Sequence, residues 1–131
     1  MSALSSIRSV DYVVLLCERM EETRAFYETT LGFPIEHDSR NWVSFRVGPV
    51  LLTLKPRGPG LAWEDGSKVA GSADVQLAFR VPPSQLQGCY EELVAHGVEI
   101  LEGPSDLKSW RHRIVFFRDP EGNVLEIYAE V

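Results

Sequence analysis

The chain has 131 residues, 44% hydrophobic and 24% charged, which suits one globular domain able to bury a core without covalent staples. Its formal net charge of −6 argues against nucleic acid or an anionic membrane surface as the main partner. The N-terminal stretch MSALSSIRSV lacks the apolar core of a signal peptide, and no apolar run approaches ~18 residues, so the cytoplasm is the default compartment.

In chain order, SVDYVVLLC (9–17) is rich in β-branched and apolar residues and reads as a strand. MEETRAFYETTLGF (20–33) has helical spacing through Met20, Ala25, Phe26 and Leu31, with Gly32 as its stop. PIEHD (34–38) is a short strand candidate. NWVSFRVG (41–48) alternates, with Val43, Phe45 and Val47 on one face and Trp42, Ser44 and Arg46 on the other. VLLTLK (50–55) follows a Gly48-Pro49 turn. Composition then shifts to the Gly- and Pro-rich linker 56–72.

After the linker, ADVQLAFRV (73–81) alternates again. PPSQLQGCYEELVAHG (82–97) reads as a helix with Pro near its start, a stripe of Leu86, Tyr90 and Leu93, and Gly97 as its stop. VEILE (98–102) is a strand and GPSDLKSW a loop. RHRIVFFR (111–118) and NVLEIYAEV (123–131) form a hairpin around DPEGN, a strong turn signal. The two cysteines, Cys17 and Cys89, lack metal-type spacing, lie in apolar segments and read as buried free thiols.

The order β-α-β-β-β thus occurs twice, over about 9–55 and 73–131. The expected class is α+β with curved, largely antiparallel sheets. There is no Ser-His-Asp set, P-loop or dinucleotide glycine motif.

Three stretches, VDYVVLLCERMEETRAFYETTLGF, VQLAFRV and FRDPEGNVLEIY, resemble the vicinal oxygen chelate superfamily of glyoxalases, bleomycin resistance proteins and extradiol dioxygenases. The resemblance spans nearly the whole chain. It implies two βαβββ modules in a single domain, each sheet curled into a half-barrel with its helix outside and a ligand cavity inside. It also implies a homodimer. Strand alternation within that fold sends Leu125, Ile127 and Ala129 to a helix, and Val124, Glu126 and Tyr128 to the cavity. Likewise Tyr12, Val14 and Leu16, and Gln76, Ala78 and Arg80, point inward.

Metal-dependent relatives use four inward positions, which fall here on Tyr12, Thr53 (or Leu52), Gln76 and Glu126. A neutral phenol and a hydroxyl are poor ligands, and Gln76 is a weak one. His37, His96 and His112 all lie elsewhere by this reading. No cofactor is therefore expected. If a divalent metal binds, Gln76 and Glu126 are its candidate ligands. A carboxylate among apolar residues needs a partner, and the Tyr12 hydroxyl and Gln76 amide are the donors expected to converge on Glu126.

The ligand-binding set is thus Tyr12, Trp42, Arg46, Thr53, Trp63, Gln76, Arg80, Glu126 and Tyr128, with Trp63 in the linker placed to cover a ligand. Inward Arg46 and Arg80 would favour an anionic or carbonyl-bearing ligand. The run KSWRHR (108–113) reads as a solvated strand entry. The reading is a small-molecule-binding protein that sequesters its ligand without chemistry. The alternative is a metal-dependent lyase, isomerase or dioxygenase of the same superfamily. Catalytic residues and the ligand's identity are not legible.

Overall fold

The computed structural model describes residues 3–58 and 72–131. The chain divides into two units, Met1–Asp65 and Gly66–Val131. In the first, a short 3₁₀ turn at Ala3–Ser6 precedes β1 (Tyr12–Cys17), α1 (Met20–Ala25), β2 (Ile35–Ser39), β3 (Trp42–Val47) and β4 (Val50–Pro56). The sheet order is β1-β4-β3-β2, with β1 and β4 parallel and the other neighbours antiparallel. The second unit repeats the plan with β5 (Gln76–Arg80), α2 (Leu86–Ala95), β6 (Ile100–Leu107), β7 (His112–Arg118) and β8 (Val124–Glu130). Its order is β5-β8-β7-β6, again with one parallel pair, β5 and β8. The fold is α+β with two βαβββ modules, and each four-stranded sheet is mixed.

Burial follows the period of each strand. Along β8, Leu125, Ile127 and Ala129 are buried while Val124, Glu126 and Tyr128 are half-buried. In the first unit Leu15, Val43, Phe45, Leu52 and Leu54 form the core side of the sheet. Tyr27 is fully buried there, with the Phe26, Phe33 and Phe45 rings 5.4–6.2 Å away. In the second, Leu86 and Leu93 of α2 are buried, as are Val115 and Phe117 of β7.

Two elements depart from the sequence reading. The helix expected over 20–33 is α-helical only to Ala25. A π-helical segment, Phe26–Thr30, follows, and the Leu31 N–H donates to the Phe26 carbonyl at 2.9 Å. Hydrophobic spacing reports the buried face and does not distinguish these bonding patterns. The strand expected to end at 102 runs on to Leu107 through Gly103-Pro104, with register shifts on either side of Glu102. Pro104 is tolerated because β6 is a sheet edge. Glycine is required at 103: a Cβ there would lie 2.3 Å from the Ile114 carbonyl oxygen, and φ is +103°.

A buried polar knot joins the β7–β8 turn to the start of β5. The Asp119 carboxylate accepts the Glu121 and Asn123 N–H groups, both at 2.9 Å, and the Asn123 side-chain amide at 3.1 Å. The Asn123 side-chain carbonyl accepts the N–H groups of Asp74 and Val75 at 3.2 and 3.3 Å. Replacing Asn123 with Ala strands these donors and part of the carboxylate. The expected loss is about 2–3 kcal/mol in urea denaturation. A variant as stable as wild type would show the knot to be dispensable.

Candidate functional site

Glu126 is central to β8, and its cross-strand neighbours are set by register. Ala78 lies opposite it on β5 and Phe116 on β7. Both are apolar, so neither of these directly paired side chains offers the carboxylate a donor. Gln76 pairs with Val124, two residues away, and does not hydrogen-bond Glu126. Among the described residues of this unit no hydrogen bond or ion pair reaches the Glu126 carboxylate, contrary to the Gln76 partnership expected from sequence.

The Glu126 face borders a hollow of about 510 Å³. Gln76 and Ala78 of β5 and Glu126 and Tyr128 of β8 line one side. Leu107, Trp110 and His112, from the β6–β7 hairpin, complete it. The His112 ring stacks on Tyr128 with centroids 4.4 Å apart and planes 24° apart. Trp110 meets His112 edge-on at 6.0 Å and is 72% exposed.

The sequence reading placed His112 away from the site, and the structure corrects this. The cause is local: Ile114, Val115, Phe116 and Phe117 are all apolar, so alternation gives this strand no face. A usable signal was present in the turn. Counting back from it pairs Arg118 with Val124, Phe116 with Glu126 and Ile114 with Tyr128, which puts His112 on the Glu126 side.

Arg80 does not line this hollow. Its guanidinium pairs with Glu130 at 2.9 Å, at the strand end, beside a second hollow formed with Val81, Pro82 and Pro83. Arg118, in the row before Glu126, donates to the Gly122 carbonyl at 2.6 Å.

In the first unit Thr53, Arg46 and Trp42 are engaged by neighbours. Thr53 pairs with Val14 and Ser44, so it shares the face of Tyr12, while Leu52 belongs to the core side. Thr53 is fully buried, and its hydroxyl and that of Ser44 are 2.8 Å apart. Arg46 binds Glu36 through two nitrogens at 2.7 and 3.0 Å. The Lys55 ammonium sits 5.3 Å from the Trp42 ring centroid. Tyr12 is 55% exposed. Trp63 lies outside the described residues.

The sequence model of the Glyoxalase/Bleomycin resistance protein/Dioxygenase superfamily matches residues 9–127. The chain belongs to that superfamily. It is similar to YraH, an uncharacterized protein of Bacillus subtilis, with 27% identity over 118 residues, 87% of this chain and 92% of that protein. It is also similar to metallothiol transferase FosB of Shouchella clausii, with 35% identity over 124 residues, 94% of this chain and 81% of that protein. Among solved structures it is similar to a glyoxalase/bleomycin resistance protein/dioxygenase from Nocardioides, with a TM-score of 0.75 and 25% identity. That match covers 96% of this chain and 85% of the other.

The donor set fits a superfamily metal poorly. Thr53, at the second of the four ligand positions the resemblance implied, is sealed by Ser44. Among the described residues no group of three or more His, Cys, Asp and Glu side chains is placed to hold an ion. His112 and Glu126 share the hollow, but Phe116 and Ala78 flank the carboxylate where further donors are needed.

Two measurements check this arrangement. The Arg46 guanidinium, through its hydrogen bonds, holds the Glu36 carboxyl below the ordinary glutamate range. A depressed folded pKa stabilises the protein above the unfolded value, and that contribution is lost as pH falls through the folded one. A carboxyl-carbon NMR titration of Glu36 is expected to show a midpoint below the ordinary glutamate range, rising in Arg46→Met. For the buried hydroxyl pair, Ser44→Ala is expected to lose about 1–2 kcal/mol by stranding Thr53. The double variant with Thr53→Val is then less destabilised than the sum of the two single changes. Strict additivity would rule out the coupling.

Proposed function

We propose that this protein binds a small organic molecule in the hollow of its second unit and does so without a resident metal. The observation that carries the reading is the composition of that hollow. Trp110, His112, Tyr128, Leu107 and Ala78 give it apolar and aromatic walls, and Gln76 and Glu126 give it a few polar groups. Its volume of about 510 Å³ falls in the range of small-molecule sites. Membership of a superfamily that includes bleomycin resistance proteins supports binding as an end in itself. Tyr128 and His112 supply a stacked ring pair at fixed geometry, and Glu126 supplies a charge at a fixed point.

The alternative is a metal-dependent lyase, isomerase or dioxygenase. Two observations favour it: His112 shares the hollow with Glu126 and Gln76, and one relative bears the name metallothiol transferase. In that reading Gln76, His112 and Glu126 are the groups that would hold the ion, and a bound metal would polarise a substrate oxygen. The two readings separate on elemental analysis by mass spectrometry of purified, untagged protein. The proposal expects no divalent transition metal approaching one per chain. It also expects tryptophan emission changes on ligand addition that survive dialysis against EDTA. One metal per chain, lost in Glu126→Ala, would overturn it.

A further inference from the structure

Two carboxylates, Glu126 and Glu130, stand on the same face of β8, and their surroundings differ. Glu130 holds Arg80 at 2.9 Å. That pairing takes to the strand end the one cation that β5 contributes to this face. Arg118 is drawn to the Gly122 carbonyl and does not line the hollow. Arg113 lies on the other face of β7 and pairs with Asp106 at 2.8 Å. Glu126 is left among Ala78 and Phe116, half-buried, with no cationic partner among the described residues of its unit.

The opposite end of the hollow is aromatic. His112 pairs with Glu130 across the sheet, so it lies four residues along β8 from Glu126, roughly 13 Å at ~3.3 Å per residue. Trp110 stands beyond it with 72% of its surface open, an unusual exposure for the largest apolar side chain at the edge of a hollow. The His112–Tyr128 stack occupies one face of each of those rings. The exposed Trp110 indole remains available to a flat group.

We infer that the hollow selects an elongated organic cation, with a flat ring seated at the Trp110–His112 end and a positively charged nitrogen at Glu126. The inference rests on the hollow being the ligand site, as proposed above. A ligand ammonium supplies the carboxylate with the charge-assisted hydrogen bond that its strand neighbours withhold. An anionic ligand would meet Glu126 with no Lys or Arg among the described lining residues to screen it, which reverses the preference that inward arginines suggest from sequence. The net charge of −6 acts in the same direction on encounter.

The test is a matched series sharing one ring and one four-carbon arm: 4-phenylbutylamine, 4-phenylbutanol and 4-phenylbutyrate. Each is titrated into the intact protein while the amide and side-chain resonances of Glu126, His112 and Tyr128 are followed by NMR. The amine is expected to bind about ten-fold more tightly than the alcohol, and the carboxylate more weakly than either. In Glu126→Gln the amine falls to the level of the alcohol, whose affinity holds within about two-fold. In Trp110→Ala, a change at an exposed side chain, all three weaken together. If the hollow's resonances move but the carboxylate binds as tightly as the amine, the ligand class is wrong and the site stands. The ligand class is equally wrong if the amine preference survives Glu126→Gln. If none of the three moves those resonances at its solubility limit, the hollow is not the ligand site, and the proposed function falls with the inference.

Discussion

The carboxylate of Asp119 is the fixed point of the second unit. Buried beneath the β7–β8 turn, it gathers two backbone N–H groups and the Asn123 amide, and Asn123 in turn holds the backbone at Asp74 and Val75. Those residues immediately precede β5, and Asn123 immediately precedes β8. Strands far apart in sequence are therefore aligned at their first residues, and the parallel register Gln76 to Val124 follows. A slip of one residue would turn Glu126 and Tyr128 toward the helix and Leu125 and Ile127 away from it. The orientation of every side chain that β8 contributes to the hollow depends on this polar knot.

The two modules repeat a backbone and diverge in what they place on it. Thr53 and Glu126 occupy equivalent register positions, each on the strand between the parallel neighbour and the antiparallel one. In the first unit Thr53 closes on Ser44, Arg46 on Glu36, and Lys55 on the face of Trp42. Thr53, Arg46 and Lys55 of that face are thus engaged by neighbours, while Tyr12 is exposed. In the second, Ala78 and Phe116 take the places of Val14 and Ser44, and the carboxylate between them is not matched by its neighbours. An incompletely satisfied polar group destabilises a fold, and its persistence in a ligand-sized hollow is the usual mark of a site.

Shared architecture does not fix chemistry. The superfamily frame accounts for the repeated module, the parallel closure of each sheet and the inward carboxylate of the last strand. The residues around that carboxylate carry the functional argument. Among the described residues they are the Trp110, His112 and Tyr128 rings, the apolar Leu107 and Ala78, and the Gln76 amide. That composition suits contact with an organic surface better than enclosure of an ion.

The sequence by itself determined the repeated β-α-β-β-β order, the DPEGN turn and the two alternating faces of β8. All of these depend on local spacing: period-2 alternation, helix stops and turn residues are properties of adjacent positions. It could not determine that β6 crosses Gly103-Pro104, because a proline that breaks an inner strand is harmless at an edge, and edges are defined by the sheet. Nor could it show that Arg46 and Arg80 are claimed by Glu36 and Glu130, or that His112 stacks on Tyr128. Those outcomes depend on which strand lies beside which and in what register. Only tertiary structure decided them, because hydrogen bonds between residues distant in the chain, such as those of Asn123 to Asp74 and Val75, set that register.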